Sequence, residues 1–365
     1  MTDSVPATSS AEADKSGYRE VAHEYTVNFP SLLAQLRTCL LVTTYQAGKL
    51  VVIGVDEGKL TLSFHNFVRA MGIAAKPDSL AVGARAEVWL LRGMPDLLRA
   101  GPADRHDGCF VTRSAHFTGD IQVHEMAWVG SELWIVNTLF SCLCSLHPDY
   151  SFVPRWRPRF VSGLAAEDRC HLNGLAVGDG QVKYVTALAE SDTPRGWRPD
   201  KTNTGCLIDV PSGATVARGF AMPHSPRVYA GAVWLLDSGA GRLLRVDPAS
   251  GRTDSVITLP GYTRGLALAG SYAFVGLSKI RETTTFGGMP IAKRLGELKC
   301  GVGVVDLGTG GLVAHLEFKR GVDEIFDVQV LPGICFPRIS GPLAAEDGTA
   351  PIWTVPDPKA GIPAP

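Results

Sequence analysis

The 365-residue chain is 45% hydrophobic and 19% charged, with a formal net charge of −1. That balance suits a well-buried core and excludes a disordered, low-complexity chain; it supplies no global field for nucleic acid or an anionic membrane, so neither is expected as a partner. Forty glycines and 24 prolines, spread along the sequence, favour many short strands over long helices.

In chain order, residues 1–25 are polar and acidic and read as a disordered arm. They hold no apolar run behind a basic start, so no secretory signal is expected. No segment approaches the ~18 apolar residues that span a bilayer, and the expected location is cytoplasmic. Pro30 to Arg37 predicts one short helix. Leu40 to Phe67 reads as a run of strands with hairpin turns at Ala47-Gly48 and Glu57-Gly58. Beyond it one unit recurs: an apolar strand, a Gly- or Asp-bearing turn, a second strand with an aromatic or Leu, then a third. Its copies start at Arg69, His124, His171, His224, Tyr262 and Phe326, 38 to 64 residues apart. That period fits a four-stranded blade with loops of variable length. The predicted fold is therefore all-β, a single six-bladed β-propeller over residues 28–338. The unit at Tyr262 is lengthened by an insertion from Arg281 to Lys299.

Only the first strand of the last blade lies at the C-terminal end. The N-terminal strands are expected to pair with Phe326 to Leu331 and close the ring, because an open ring leaves unpaired sheet edges. Residues 341–365 read as a Pro- and Ala-rich tail. The eight cysteines form no CxxC pair and read as reduced, buried thiols, with Cys142 and Cys144 in the core.

The segments VWLLDSGAGRLLRVDPASG and LWIVNTLFSCLCSLHPD are similar to the repeats of NHL-type and gluconolactonase-like six-bladed propellers. TTYQAGKL, HNFVRAMGIA, HEMAW, HLNGLA and SPRV resemble an uncharacterised bacterial family of such propellers. The resemblance implies the fold and brings no reaction. The gluconolactonase-like metal set of one Glu, two Asn and one Asp is matched only in part, by Asn137, Asn173 and Asp237.

In a propeller the first strand of each blade lines the central channel, so the repeat starts form a ring. Three of them, His124, His171 and His224, come from consecutive blades. Imidazole is the commonest ligand of zinc, copper and iron, and three ligands leave coordination positions open for substrate. The expectation is a metal-dependent enzyme, iron or copper favoured and zinc possible, with His65 as a further ligand. Glu125 and Asp327 are candidate general bases, and Tyr262 a proton donor. Arg69, Arg227 and Arg264, with Asn173 and Trp197, are candidate contacts to an anionic small molecule or a peptide side chain. Oxidation, hydrolysis and elimination all remain open, and the alternative is a non-catalytic propeller that binds a peptide or glycan. Two long loops, 189–205 and 278–300, are expected to shape the entrance.

Overall fold

Strands form where the recurring unit predicts them and assemble as six sheets around one axis, in a computed structural model that describes residues 20–98, 105–279 and 287–355. The innermost strands are Ile73–Lys76, Val123–Val129, Leu172–Gly178, Pro223–Tyr229, Tyr262–Ala269 and Asp327–Pro332. Numbered in that order, they define blades one to six, and each begins within four residues of an expected repeat start. Neighbouring inner strands touch all the way round, the last against the first.

The ring closes as expected. Thr38–Thr44 pairs antiparallel with Asp327–Pro332, placing Leu40 opposite Val330 and Val42 opposite Val328. Lys49–Asp56 and Lys59–Asn66 complete blade six. Glu57 and Gly58 join these two strands with φ of 47° and 76°. Two successive positive φ angles make the mirror-image turn that a right-twisted hairpin needs. The helix Phe29–Leu36 buries Phe29, Leu32 and Leu33 in a cluster shared with Leu40, Ile53, Phe274 and Val302. Each such side chain contributes about 1.5–3 kcal/mol by leaving water.

Two outer edges are covered by terminal segments. Pro337–Ser340 adds in parallel to blade one, and His23–Tyr25 adds antiparallel to blade five. Such cover blunts the edges as templates for aggregation. His23–Tyr25 falls inside the stretch read as an arm, of which residues 1–19 lie outside the described residues. Within the stretch read as a tail, Asp347 accepts hydrogen bonds from the Asn66 backbone N–H (2.7 Å) and Nδ2 (2.6 Å); residues 356–365 lie outside the described residues. All eight cysteines are free, with Cys142 and Cys144 fully buried. Among the described residues no helix is long and apolar enough to cross a membrane.

Polar side chains tie neighbouring blades in a pattern that repeats every two blades. Backbone N–H groups donate across the seam: Leu175 to Glu125 (2.8 Å), Gly265 to Ser225 (3.2 Å) and Ile73 to Asp327 (2.9 Å). Just above, hydroxyls donate to the next blade's carbonyls: Thr138 to Leu172, Ser238 to Thr263 and Thr43 to Met71. These seam contacts thus recur with a blade-pair period, three times around the ring. Packing at the seams is tight: a Cβ on Gly265, whose φ is 80°, would sit 2.4 Å from the Val328 nitrogen.

Candidate active site on the propeller axis

The blade-pair pattern sets which side chains reach the axis. In blades two, four and six the ring position is held by His124, His224 and Phe326, each one residue before a seam acceptor. In blades three, five and one it falls to His171, Tyr262 and Ala70, each one residue before a seam carbonyl. Arg69 is therefore one residue out of register. It is exposed, pairs with Asp120 at 3.2 Å and does not reach the axis.

The three histidines come together as expected. The ring centroids of His124 and His171 lie 4.9 Å apart, and those of His124 and His224 6.2 Å apart. They line one pocket of about 810 Å³, its open mouth included, with Tyr262, Thr263, Arg264, Lys279, Glu324 and Gln46. Its lining mixes polar and apolar groups, as small-molecule sites do. The rings do not point one nitrogen each at a common centre. Among the described residues, the only His, Cys, Asp or Glu set whose ligand atoms gather within 4.8 Å is Glu24, His315 and Glu317 on the rim of blade five. Lys299 and Lys319 already pair with Glu317 there, each at 2.9 Å.

Every Nδ1 of the three histidines is engaged. For His124 it lies 2.8 Å from Thr138 Oγ1 and 3.3 Å from Gln122 O. For His224 it lies 2.9 Å from both Ser238 Oγ and Met222 O. Gln122 and Met222 reach these nitrogens by adopting φ of 56° and 57°. His171 differs, because its Nδ1 sits 2.9 and 3.0 Å from the two oxygens of Asp168. Trp197 Nε1 donates to the same carboxylate at 2.9 Å. Burial, with His171 and Arg264 adding, pushes His124 well below the ordinary imidazole value; burial and then Arg264 do the same to His224. Both rings are neutral near pH 7.

Arg264 supplies the pocket's half-buried cation. Its guanidinium lies 3.5 Å from the Phe326 ring centroid and 3.7 Å from Glu324, and burial lowers its pKa to about 10. Thr263 Oγ1, also on the pocket wall, is buried without a hydrogen-bond partner among the described residues.

Several expected site residues lie elsewhere. Glu125 and Asp327 sit one layer deeper, where they accept backbone N–H groups across the seams and share Arg227, which pairs with Glu125 and lies 3.9 Å from Asp327. These three are a structural clamp, so the roles expected for Glu125 and Asp327 as bases and for Arg227 as a substrate contact do not hold. Asn173 Nδ2 lies 3.4 Å from His224 Nε2, and its Oδ1 accepts from Thr186 at 2.6 Å, so its polar groups are spent on the protein. Asn137 Oδ1 caps its own turn at Phe140 N, and Asp237 pairs with Arg242, so no oxygen-ligand set forms with Asn173. Trp197 is 1% exposed and packs 4.5 Å from His171, which makes it a support and not a recognition surface. His65 lies on the outermost strand of blade six, 3.0 Å from Ser63 and 3.5 Å from Asp347, remote from the axis. His116 faces the carbonyls of Tyr150 and Ser151 on outer strands. The two long loops do meet beside the pocket, where Trp197 joins Met289, Ile291, Leu298 and the pocket residue Met222 in one apolar cluster; residues 280–286 of the second loop lie outside the described residues.

Asp168 was missed because it stands in a turn with φ of 50°, outside the strand repeat. Thr138 and Ser238 carried a usable signal, for each follows its histidine by 14 residues.

A family model described as a domain of unknown function matches residues 27–340. No curated protein matches the chain. Among solved structures, the chain is similar to one titled "Crystal structure of Nidogen/Laminin Complex", with a TM-score of 0.52 and 13% identity over 82% of this chain and 100% of that one. It is also similar to a protein of unknown function from Bacteroides caccae, with a TM-score of 0.50 and 10% identity over 80% of this chain and 98% of that one. At these identities the likeness extends to the fold alone.

Proposed function

Because the chain belongs to the DUF4915 family, whose description carries no activity, we propose from its site that it is an enzyme that removes a proton from a small anionic molecule held at the mouth of the propeller axis. The observation that carries this is the Asp168–His171 pair opening into a pocket that also holds the half-buried Arg264. A carboxylate on Nδ1 orients an imidazole and stabilises the imidazolium formed when Nε2 takes a proton. Arg264 anchors the anion and draws off charge that develops on the substrate. Proton abstraction is also the first step of an elimination. The test is hydrogen exchange: the protein is incubated in D2O with a set of 2-hydroxy and 2-keto carboxylates, and loss of carbon-bound proton signals is followed by NMR. Catalysed exchange on at least one of them is expected. Carboxylates that bind, as judged by a thermal shift, yet exchange no faster than in buffer would overturn the reading.

A second reading, a metalloenzyme holding iron, copper or zinc, is favoured by the engagement of all three Nδ1 atoms, the arrangement that ligating histidines adopt. It requires the rings to rotate, since ligands of one ion at ~2.1 Å lie no more than about 4.2 Å apart. Elemental analysis of protein purified without a metal-affinity tag separates the readings. Near-stoichiometric metal that is lost in the folded His124→Ala, His171→Ala, His224→Ala variant supports the second; metal-free protein that stays so after reconstitution removes it.

A further inference from the structure

The hydrogen bonds around the pocket fix where the imidazole protons reside. Thr138 Oγ1 lies 2.6 Å from Leu172 O, and a carbonyl can only accept, so the single hydroxyl hydrogen is committed there. The contact between that oxygen and His124 Nδ1 is then favourable only if Nδ1 donates. Gln122 O, the other neighbour of Nδ1, makes the same demand. Blade four repeats the logic: Ser238 Oγ gives its hydrogen to Thr263 O, and His224 Nδ1 faces Ser238 Oγ and Met222 O. At His171 the Asp168 carboxylate imposes the same choice. On the far side of His224, Asn173 turns its amide N–H to Nε2 because its Oδ1 is taken by Thr186.

We infer that Thr138 and Ser238 lock His124 and His224 as Nδ1–H tautomers, so that the pocket offers the bare Nε2 atoms of His124 and His171 to a hydrogen-bond donor on an anionic ligand. His224, already met by Asn173, completes the wall without touching the ligand. The ligand class is a carboxylate that carries a hydroxyl. Its acid group meets Arg264 and its hydroxyl donates to an imidazole. Thr138 and Ser238 are positioning residues: one hydroxyl in each blade pair closes the seam and sets the tautomer together. The ligand assignment rests on the proposed reading of the pocket, whereas the tautomers do not.

Nitrogen-15 NMR of the metal-free, ligand-free protein at pH 8, where free imidazole is neutral, reads the tautomers directly. His124 and His224 are expected to show a protonated Nδ1 and a bare Nε2. Thr138→Ser preserves that pattern, and Thr138→Val, which leaves Nδ1 only the longer 3.3 Å contact to Gln122 O, raises the share of the Nε2–H tautomer at His124 while leaving His224 unchanged. A protonated Nε2 on His124 in the wild type overturns the inference, as does a pattern indifferent to Thr138→Val. If Thr138→Val does not fold, Thr138→Ala supplies the same test at His124. For the ligand, tartronate and malonate differ by one hydroxyl at equal charge. Tartronate is expected to bind at least 10-fold more tightly by calorimetry; equal binding, or none, sinks the ligand assignment. Neither measurement depends on turnover, so their failure is separable from failure of the exchange assay.

Discussion

Arg227→Met is expected to cost about 3–5 kcal/mol of stability, because it leaves two buried carboxylates without their cation. Glu125 and Asp327 are each 3% exposed and come from blades two and six, while Arg227 reaches them from blade four. The clamp therefore joins all three blade pairs across the axis. Burial raises the pKa of both carboxyls, and Arg227 is the chief influence lowering them. A carboxyl whose folded pKa lies above its unfolded value contributes stability that is present below the unfolded pKa and lost as pH rises through the folded one. Removing the guanidinium raises both folded values further. The deficit of Arg227→Met relative to wild type should thus be small at acid pH and grow as pH climbs through the raised folded value of Glu125, about 7, and above it. Urea melts at several pH values measure it. Adding Glu125→Gln and Asp327→Asn should recover most of the loss, since neutral amides keep the seam acceptors without a buried charge. A deficit that is constant with pH, or unrelieved by the amides, would show that Arg227 acts through packing alone.

The clamp also shows where sequence reasoning stops. The ring closure was legible because it depends on local features: an apolar, β-branched run along Leu40–Thr44, a turn at Glu57-Gly58, and a lone first strand from Asp327 onward. His124, His171 and His224 were legible because the blade period survives in the sequence around them. Arg69 failed by one residue, because it stands in a turn ahead of Ile73–Lys76 with φ of 53°, where its side chain is exposed and pairs with Asp120. Glu125 and Asp327 are on the axis as expected, yet their partner Arg227 lies about 100 residues from each. Nothing local to either carboxylate announces that a guanidinium consumes it. His65 sits close to the first repeat in sequence, but the blade carries it to the rim, because the outermost strand of blade six ends there. Asp168 precedes His171 by three residues in a left-handed turn, and turns interrupt the periodicity that a repeat search follows.

That turn residue carries the second large effect. Asp168→Asn is expected to slow catalysed hydrogen exchange by about 10²–10⁴-fold while leaving substrate affinity near the wild-type value. Both Asp168 oxygens lie within 3.0 Å of His171 Nδ1, so the carboxylate supplies orientation and the counter-charge for an imidazolium. An amide keeps the shape and loses that charge; in its other orientation it presents N–H to Nδ1 and forces the proton onto Nε2, the nitrogen required as base. The same substitution weakens the anchor of Trp197, whose indole packs on the His171 ring. Trp197→Phe separates the two effects, because it removes the indole donor and retains the carboxylate. Exchange in Trp197→Phe should therefore stay well above that of Asp168→Asn. Arg264→Met should do the opposite of Asp168→Asn to the kinetic constants, raising KM more than it lowers kcat, because the guanidinium holds the anion throughout the reaction. Equal losses in Trp197→Phe and Asp168→Asn would assign Asp168 to holding the loop, and the base would have to be sought at another residue of the pocket.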